Sequence, residues 1–153
     1  MIREIKDKAA IAAALELIWV TFLQFEAPDY SDEGIQAFRS FIDDEDIIAS
    51  LEFWGDYAGD ELRGTIAANE DRRHICCFFV KARYHRQGIG RALWEHLLNS
   101  SDHQVYTVHA SPYAVSVYHK LGFVEMREEQ TADGMRFTPM RFERKKDHGI
   151  QDR

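Results

Sequence analysis

The sequence predicts an α/β fold: one mixed central sheet with helices on both faces, in the order β-α-α-β-β-β-α-β-α-β-β. Three observations carry this expectation. The near-continuous apolar run His74-Ile75-Cys76-Cys77-Phe78-Phe79-Val80 reads as a strand buried on both faces, central in the sheet. On either side of it, apolar residues recur at helical spacing in some segments and at strand spacing in others. At 153 residues the chain is long enough for one domain with a real core and too short for two.

The elements follow in order. Residues 2–5 form the first strand. Asp7 caps a helix to Phe25, with Ile11, Leu15, Ile18, Phe22 and Phe25 at helical spacing. Ala27-Pro28-Asp29-Tyr30 breaks it. Ser31 caps a second helix with Asp32 and Glu33 in its first turn, where negative charge suits the dipole. Its apolar face holds Ile35, Phe38, Phe41 and Ile42. Strands over 51–58 and 61–69 join at Gly59-Asp60. After Glu70-Asp71-Arg72 comes the apolar run. A helix spans Gly88 to Leu98, a strand Val105 to His109, and a further helix opens at Ser111 or Pro112 and stops at Gly122. Strands over 123–130 and 135–143 form a hairpin around Ala132-Asp133-Gly134. The domain is expected over 1–143, followed by a polar, frayed tail at 144–153.

Composition narrows the function. With 45% hydrophobic and 29% charged residues and no low-complexity tract, the chain reads as a soluble globular protein. A net charge of −7 argues against nucleic acid and suits a cationic partner such as a protonated amine, or simply solubility. Met1 to Lys6 has no apolar core of a signal peptide. The stretch Ile11 to Phe25, interrupted by Glu16 and Gln24, is too short to span a bilayer, so no membrane is expected. Cys76 and Cys77, adjacent on a strand, point to opposite faces and form no disulfide, which fits a reducing, cytoplasmic setting.

Between Val80 and Leu93 the chain leaves a buried strand and enters a helix at two glycines. A helix start offers backbone N–H groups without intrahelical partners, and its dipole favours an anion. Gly88 and Gly90 let a phosphate approach closely, and Arg86 and Arg91 flank the turn. A P-loop would need Gly-Lys-Ser/Thr, whereas Arg91-Ala92 follows Gly90. A dinucleotide fingerprint would need a third glycine where Leu93 stands.

The turn His85-Arg86-Gln87-Gly88-Ile89-Gly90 resembles the Gln/Arg-x-x-Gly-x-Gly/Ala signature of the GNAT superfamily of acetyltransferases, with His85 in the slot usually held by Gln or Arg. A second stretch, Ser111-Pro112-Tyr113-Ala114-Val115-Ser116-Val117-Tyr118 followed by Leu121-Gly122-Phe123, resembles that family's Asn-x-x-Ala-x-x-x-Tyr helix and Gly-Phe, with Ser111 replacing Asn. Separation and element order match over residues 1–143. Ser111 to Val115 and Phe137-Thr138-Pro139-Met140 look similar to a bacterial, single-domain subgroup.

The resemblance implies a mostly antiparallel sheet and N-acetyl transfer from acetyl-CoA to a small-molecule or peptide amine, with no metal, by direct transfer in a ternary complex. The family is often dimeric, so a homodimer is one expected assembly. By resemblance, Arg86, Gln87, Gly88, Ile89, Gly90 and Arg91 hold the pyrophosphate. The backbone of Phe78, Phe79 and Val80 holds the pantetheine arm, with Ser111 where the family's Asn contacts it. A lysine-type amine is neutral in about one molecule per thousand or fewer at pH 7, so a base is useful. His74 stands at one family base position, six residues before Val80, and also reads as a surface histidine beside Arg72 and Arg73. Tyr106 fills another base position but is no base at pH 7; His109 is an alternative. Tyr118 would, by the same resemblance, protonate the departing thiolate, with an aromatic packing residue on a helix face as the alternative reading. Cys76 and Cys77 read as core residues, not as acetyl carriers. An alternative function is a non-catalytic CoA-binding sensor or regulatory module.

Overall fold

The computed structural model describes residues 1–145. Its strands are β1 (Ile2–Ile5), β2 (Glu52–Ala58), β3 (Glu61–Ala68), β4 (His74–Val80), β5 (Val105–Ala110), β6 (Val124–Glu125), β7 (Gln130–Ala132) and β8 (Met135–Glu143). Its helices are α1 (Lys8–Phe25), α2 (Asp32–Asp43), α3 (Glu45–Ser50), α4 (Ile89–Asn99) and α5 (Val115–Leu121). The sheet runs β1-β2-β3-β4-β5-β8-β6, with β7 paired to β8. Every neighbouring pair is antiparallel except β4 and β5. The expected mixed, mostly antiparallel sheet is therefore present.

Local signals set the helix starts. Asp7 accepts the Ala10 N–H at 2.8 Å, and Ser31 accepts that of Gly34 at 3.2 Å. Asp44 does the same for Ile47 at 3.0 Å, opening α3, which the apolar spacing did not predict because six residues are too few to show a period. On one face of the sheet, Ala14, Leu17, Ile18 and Phe22 of α1 pack with Phe38, Ile42, Phe53 and Phe79. On the other, Leu93, Trp94 and Leu97 of α4 pack with Ile66, Tyr106, Val108, Tyr118 and Met140. Burying these two apolar layers is the main driving force for the fold.

Two strand expectations need correction. β4 is not buried on both faces: Ile75, Cys77 and Phe79 are buried, while His74, Cys76, Phe78 and Val80 are half-buried. Consecutive Ala67 and Ala68 face Cys77 and Ile75, so Cys76 is the extra residue of a β-bulge. The bulge turns Ile75 to the α4 side while Cys77 and Phe79 face α1. The strand expected over 123–130 is instead two short pieces, because the charged run Arg127-Glu128-Glu129 leaves the sheet for solvent. The Asp-Gly turn stands as expected, with Asp133 at φ 53° and Gly134 at φ 78°.

That hairpin tip clamps the start of α2. A Cβ on Gly34 would run into the Gly134 carbonyl, so only glycine lets the two backbones meet. Gly34→Ala is therefore expected to cost about 2 kcal/mol, roughly 4–8 °C in Tm, measured by thermal unfolding. At the other end of β8, Arg144 donates to the carbonyls of Leu98 at 2.8 Å, Ser101 at 3.1 Å and His103 at 3.2 Å. The remainder of the expected polar tail, from residue 146, lies outside the described residues.

Candidate acetyl-transfer site

β4 and β5 pair only at His74↔Thr107 and Ile75↔Val108, reinforced by the Thr107 N–H on the Arg73 carbonyl at 2.8 Å. Beyond Ile75 the two strands part. β3 covers one flank of Phe78, Phe79 and Val80, and the flank towards β5 has no strand partner. The gap opens into a cavity of about 480 Å³ lined by the end of α1, β4, the turn before α4, and α5. Its size suits a small-molecule ligand. An unpaired strand flank within a sheet presents backbone donors and acceptors to such a ligand, as a sheet edge does to an added strand.

The glycine turn forms one wall. Gly88 is in the left-handed region at φ 83°, and Arg86 shares that region at φ 63°. The first intrahelical bond of this turn runs from the Ala92 N–H to the Gly88 carbonyl at 3.0 Å. The N–H groups of Ile89, Gly90 and Arg91 lie ahead of it, at the positive end of the dipole. At Gly90 a Cβ would meet Phe78 at 3.5 Å and Val80 at 3.9 Å, ordinary contact distances. Packing does not demand a glycine at 90; the space it leaves belongs to the cavity. The missing strand flank, the exposed helix start and this space beside Gly90 fit a pantetheine arm and a pyrophosphate.

Side chains of the turn divide their tasks. His85 donates from Nε2 to the Val80 carbonyl at 2.7 Å, pinning the turn to the end of β4. Arg86 is exposed at the cavity lining. Gln87 does not line the cavity; its amide donates to the Arg83 carbonyl at 3.1 Å. Arg91 lines it while donating to the Lys120 carbonyl at 2.9 Å, joining the start of α4 to the end of α5.

Tyr118 reaches the cavity from α5. Its ring packs on Phe78 at 5.9 Å and Phe123 at 5.2 Å, and the residue is 5% exposed. Burial, and then the charge of Glu26, raise the phenol well above its ordinary pKa. Thus it stays protonated at neutral pH. Ser111 does not line the cavity; its hydroxyl accepts the Ala114 N–H at 3.3 Å ahead of α5. Burial raises the Cys76 thiol to about 11 and the Cys77 thiol further, which keeps both from acting as nucleophiles.

His74 is not among the cavity-lining residues. Its Nδ1 lies 2.7 Å from the Thr107 hydroxyl and its ring meets His109 edge-on at 5.0 Å. His109 in turn stacks on Phe137 at 4.5 Å. Burial, with the neighbouring His109 for His74, lowers the pKa of both histidines. Tyr106 is buried with its hydroxyl 2.8 Å from that of Ser101. The carboxyl that shares the cavity with Tyr118 is that of Glu26, at the end of α1, which lines it with Thr21 and Phe25 and whose charge acts on the phenol. Burial lifts the Glu26 carboxyl to about 7, partly offset by the Ser111 hydroxyl. Along the sequence Glu26 is one acid among several after α1. Its one distinguishing mark there is a carboxylate at the end of a helix with no basic residue in its last turn.

Residues 26–144 match the sequence profile described as the acetyltransferase (GNAT) domain. The chain belongs to the GNAT family. The GNAT domain superposes on the GCN5-related N-acetyltransferase from Rhodopseudomonas palustris with TM-score 0.77, at 22% identity over 94% of each chain. PaiA N-acetyltransferase from Thermoplasma acidophilum, solved with coenzyme A, gives 0.71 at 17% identity, over 94% of this chain and 99% of that one. Escherichia coli ElaA gives 0.68 at 16% identity, over 94% and 99%. No curated protein matches the chain. A larger concavity of about 730 Å³ between α1, α3 and β2 of this GNAT domain is walled by Ile11, Leu15, Ile48 and Phe53 and contains none of the residues marked by the motifs.

Proposed function

We propose that this GNAT protein transfers the acetyl group of acetyl-CoA directly to an amine bound in the same complex. The observation that carries the reading is the break between β4 and β5 beside a glycine-opened helix start, with Tyr118 lining the same cavity. The free N–H groups at Ile89 to Arg91 would hold the pyrophosphate, with Arg86 adding positive charge at the rim. Phe78 to Val80 would hold the pantetheine amides through backbone groups. His85 already occupies the Val80 carbonyl, so the other free backbone groups of this flank are the contacts left for the arm, and its N–H donors those left for the thioester oxygen.

Catalysis then requires that the C–S bond break as the N–C bond forms. Tyr118 would hand its proton to the departing sulfur. The test is thiol release from acetyl-CoA with a panel of alkyl amines, beside CoA-dependent thermal stabilisation. Turnover with at least one amine is expected. Stabilisation by CoA with no turnover across the panel would replace this reading with a CoA-binding module.

A further inference from the structure

We propose that Glu26 is the general base of this site, taking the proton from an acceptor that arrives as an ammonium ion. The inference rests on the acetyl-transfer reading and names the class of acceptor it serves: cationic amines. Glu26 follows the last turn of α1, its backbone N–H bonded to the Phe22 carbonyl at 2.9 Å. A helix end is the negative pole of its dipole, and no basic residue of the last turn offsets it. A carboxylate in that position, lining a cavity walled by Phe25, Phe78 and Tyr118, is badly placed for stability on both counts. The groups that sense its charge are Tyr30 after α1, Cys77 of β4 and Tyr118 of α5, while the Ser111 hydroxyl partly offsets the effect of its burial. Arg86, Arg91, His85 and Lys120 share the cavity lining, but among the described residues no cation pairs with the carboxyl. Destabilising placement without a cationic partner, in range of the proposed acid, marks a functional group.

An ammonium proton passes to the Glu26 carboxylate. The freed nitrogen forms its bond to the thioester carbon, the C–S bond breaks, and the Tyr118 proton goes to sulfur. The proton shed by the new amide nitrogen restores Tyr118, and that on Glu26 leaves to solvent. One ammonium ion and one acetyl-CoA yield one amide, one CoA thiol and one proton. A carboxyl raised to about 7 is far better matched to ammonium than one at the ordinary value of about 4.3. His74 is not among the residues lining this cavity.

The experiment compares wild type with Glu26→Gln and His74→Gln on an alkyl amine between pH 5.5 and 9.5. Wild-type kcat/KM is expected to rise with pH through an apparent pKa near 7, as Glu26 loses its proton. Glu26→Gln should lose that limb and about 100-fold in kcat at pH 7.5, with CoA stabilisation intact and the deficit narrowing above pH 9, where the amine deprotonates unaided. Loss of the same limb in His74→Gln, with Glu26→Gln keeping it, would overturn the proposal. A second readout is independent of turnover. Between pH 4.5 and 7 the folded protein retains a proton that the unfolded chain has released, so this group's effect on stability worsens as pH rises. Replacing it should therefore raise Tm more at pH 8.5 than at 5.5. A Glu26→Gln enzyme with the acid limb intact, or one changed in KM alone, overturns the proposal while sparing the acetyl-transfer reading. So does a wild-type profile with no limb between pH 6 and 8, which needs no variant to fold. Absence of wild-type turnover with every amine overturns both.

Discussion

Tyr118→Phe is expected to lower kcat by about 100-fold or more while leaving the fold and CoA binding unchanged. Phenylalanine keeps the ring that packs on Phe78 and Phe123, and those contacts carry the stability of this position. What is lost is one proton, offered to sulfur as the C–S bond breaks. Without it a thiolate must leave into a cavity whose wall is largely aromatic and aliphatic, where an unpaired negative charge is costly. Because burial and Glu26 hold the phenol well above its ordinary pKa, Tyr118 should add no basic limb to the rate profile in the neutral range. Steady-state kinetics with thiol detection check this. Unchanged kcat in the variant would remove Tyr118 from the acid role and leave it a packing aromatic.

Gly90→Val is expected to weaken CoA binding by about tenfold or more, ~1.4 kcal/mol, with little change in the Tm of the unliganded protein. The asymmetry follows from where its side chain would go. The first atom of that side chain stands at ordinary distance from Phe78 and Val80, so the protein itself has room for it. A side chain in the first turn of α4 also removes the entropic penalty of glycine in a helix. The branched side chain would instead occupy the approach to the N–H groups of Ile89 to Arg91. Thermal shift with and without CoA separates the two effects, since stabilisation by a ligand follows its concentration relative to Kd. Equal loss of Tm with and without CoA would show that Gly90 serves packing alone.

Features that arise from neighbouring residues are legible in the sequence itself. Asp7 and Ser31 announce helix starts, Asp133-Gly134 a hairpin turn, and Gly88 the entry into α4, each by a local conformational need. Tyr118 is legible because its spacing from Gly122 and Phe123 is fixed by one helix and its stop. Features that depend on who meets whom across the fold are not. The bulge at Cys76 arises from the β3 register and turns Ile75 towards α4. The place of Glu26 arises from the approach of the end of α1 to α5, which no local pattern encodes. His74 sits at the right count from Val80, but counting along a strand does not say which neighbours the side chain will find, and here they are Thr107 and His109.

The two-rung junction at His74 and Ile75 makes the sheet a pair of panels rather than one board. β1 to β4 carry α1 and α3, β5 to β8 carry α5, α4 packs across both and the hairpin tip of β7 and β8 holds the start of α2, and β4 and β5 part towards Val80. A ligand threaded there would act as a cross-brace, supplying hydrogen bonds that the protein's own strands leave unmade. Its binding energy would then be felt as stiffness across the whole molecule. Amide hydrogen exchange in β5 and in the far half of β4 should slow together when CoA is added, although no residue of β5 beyond Val108 has a partner in β4.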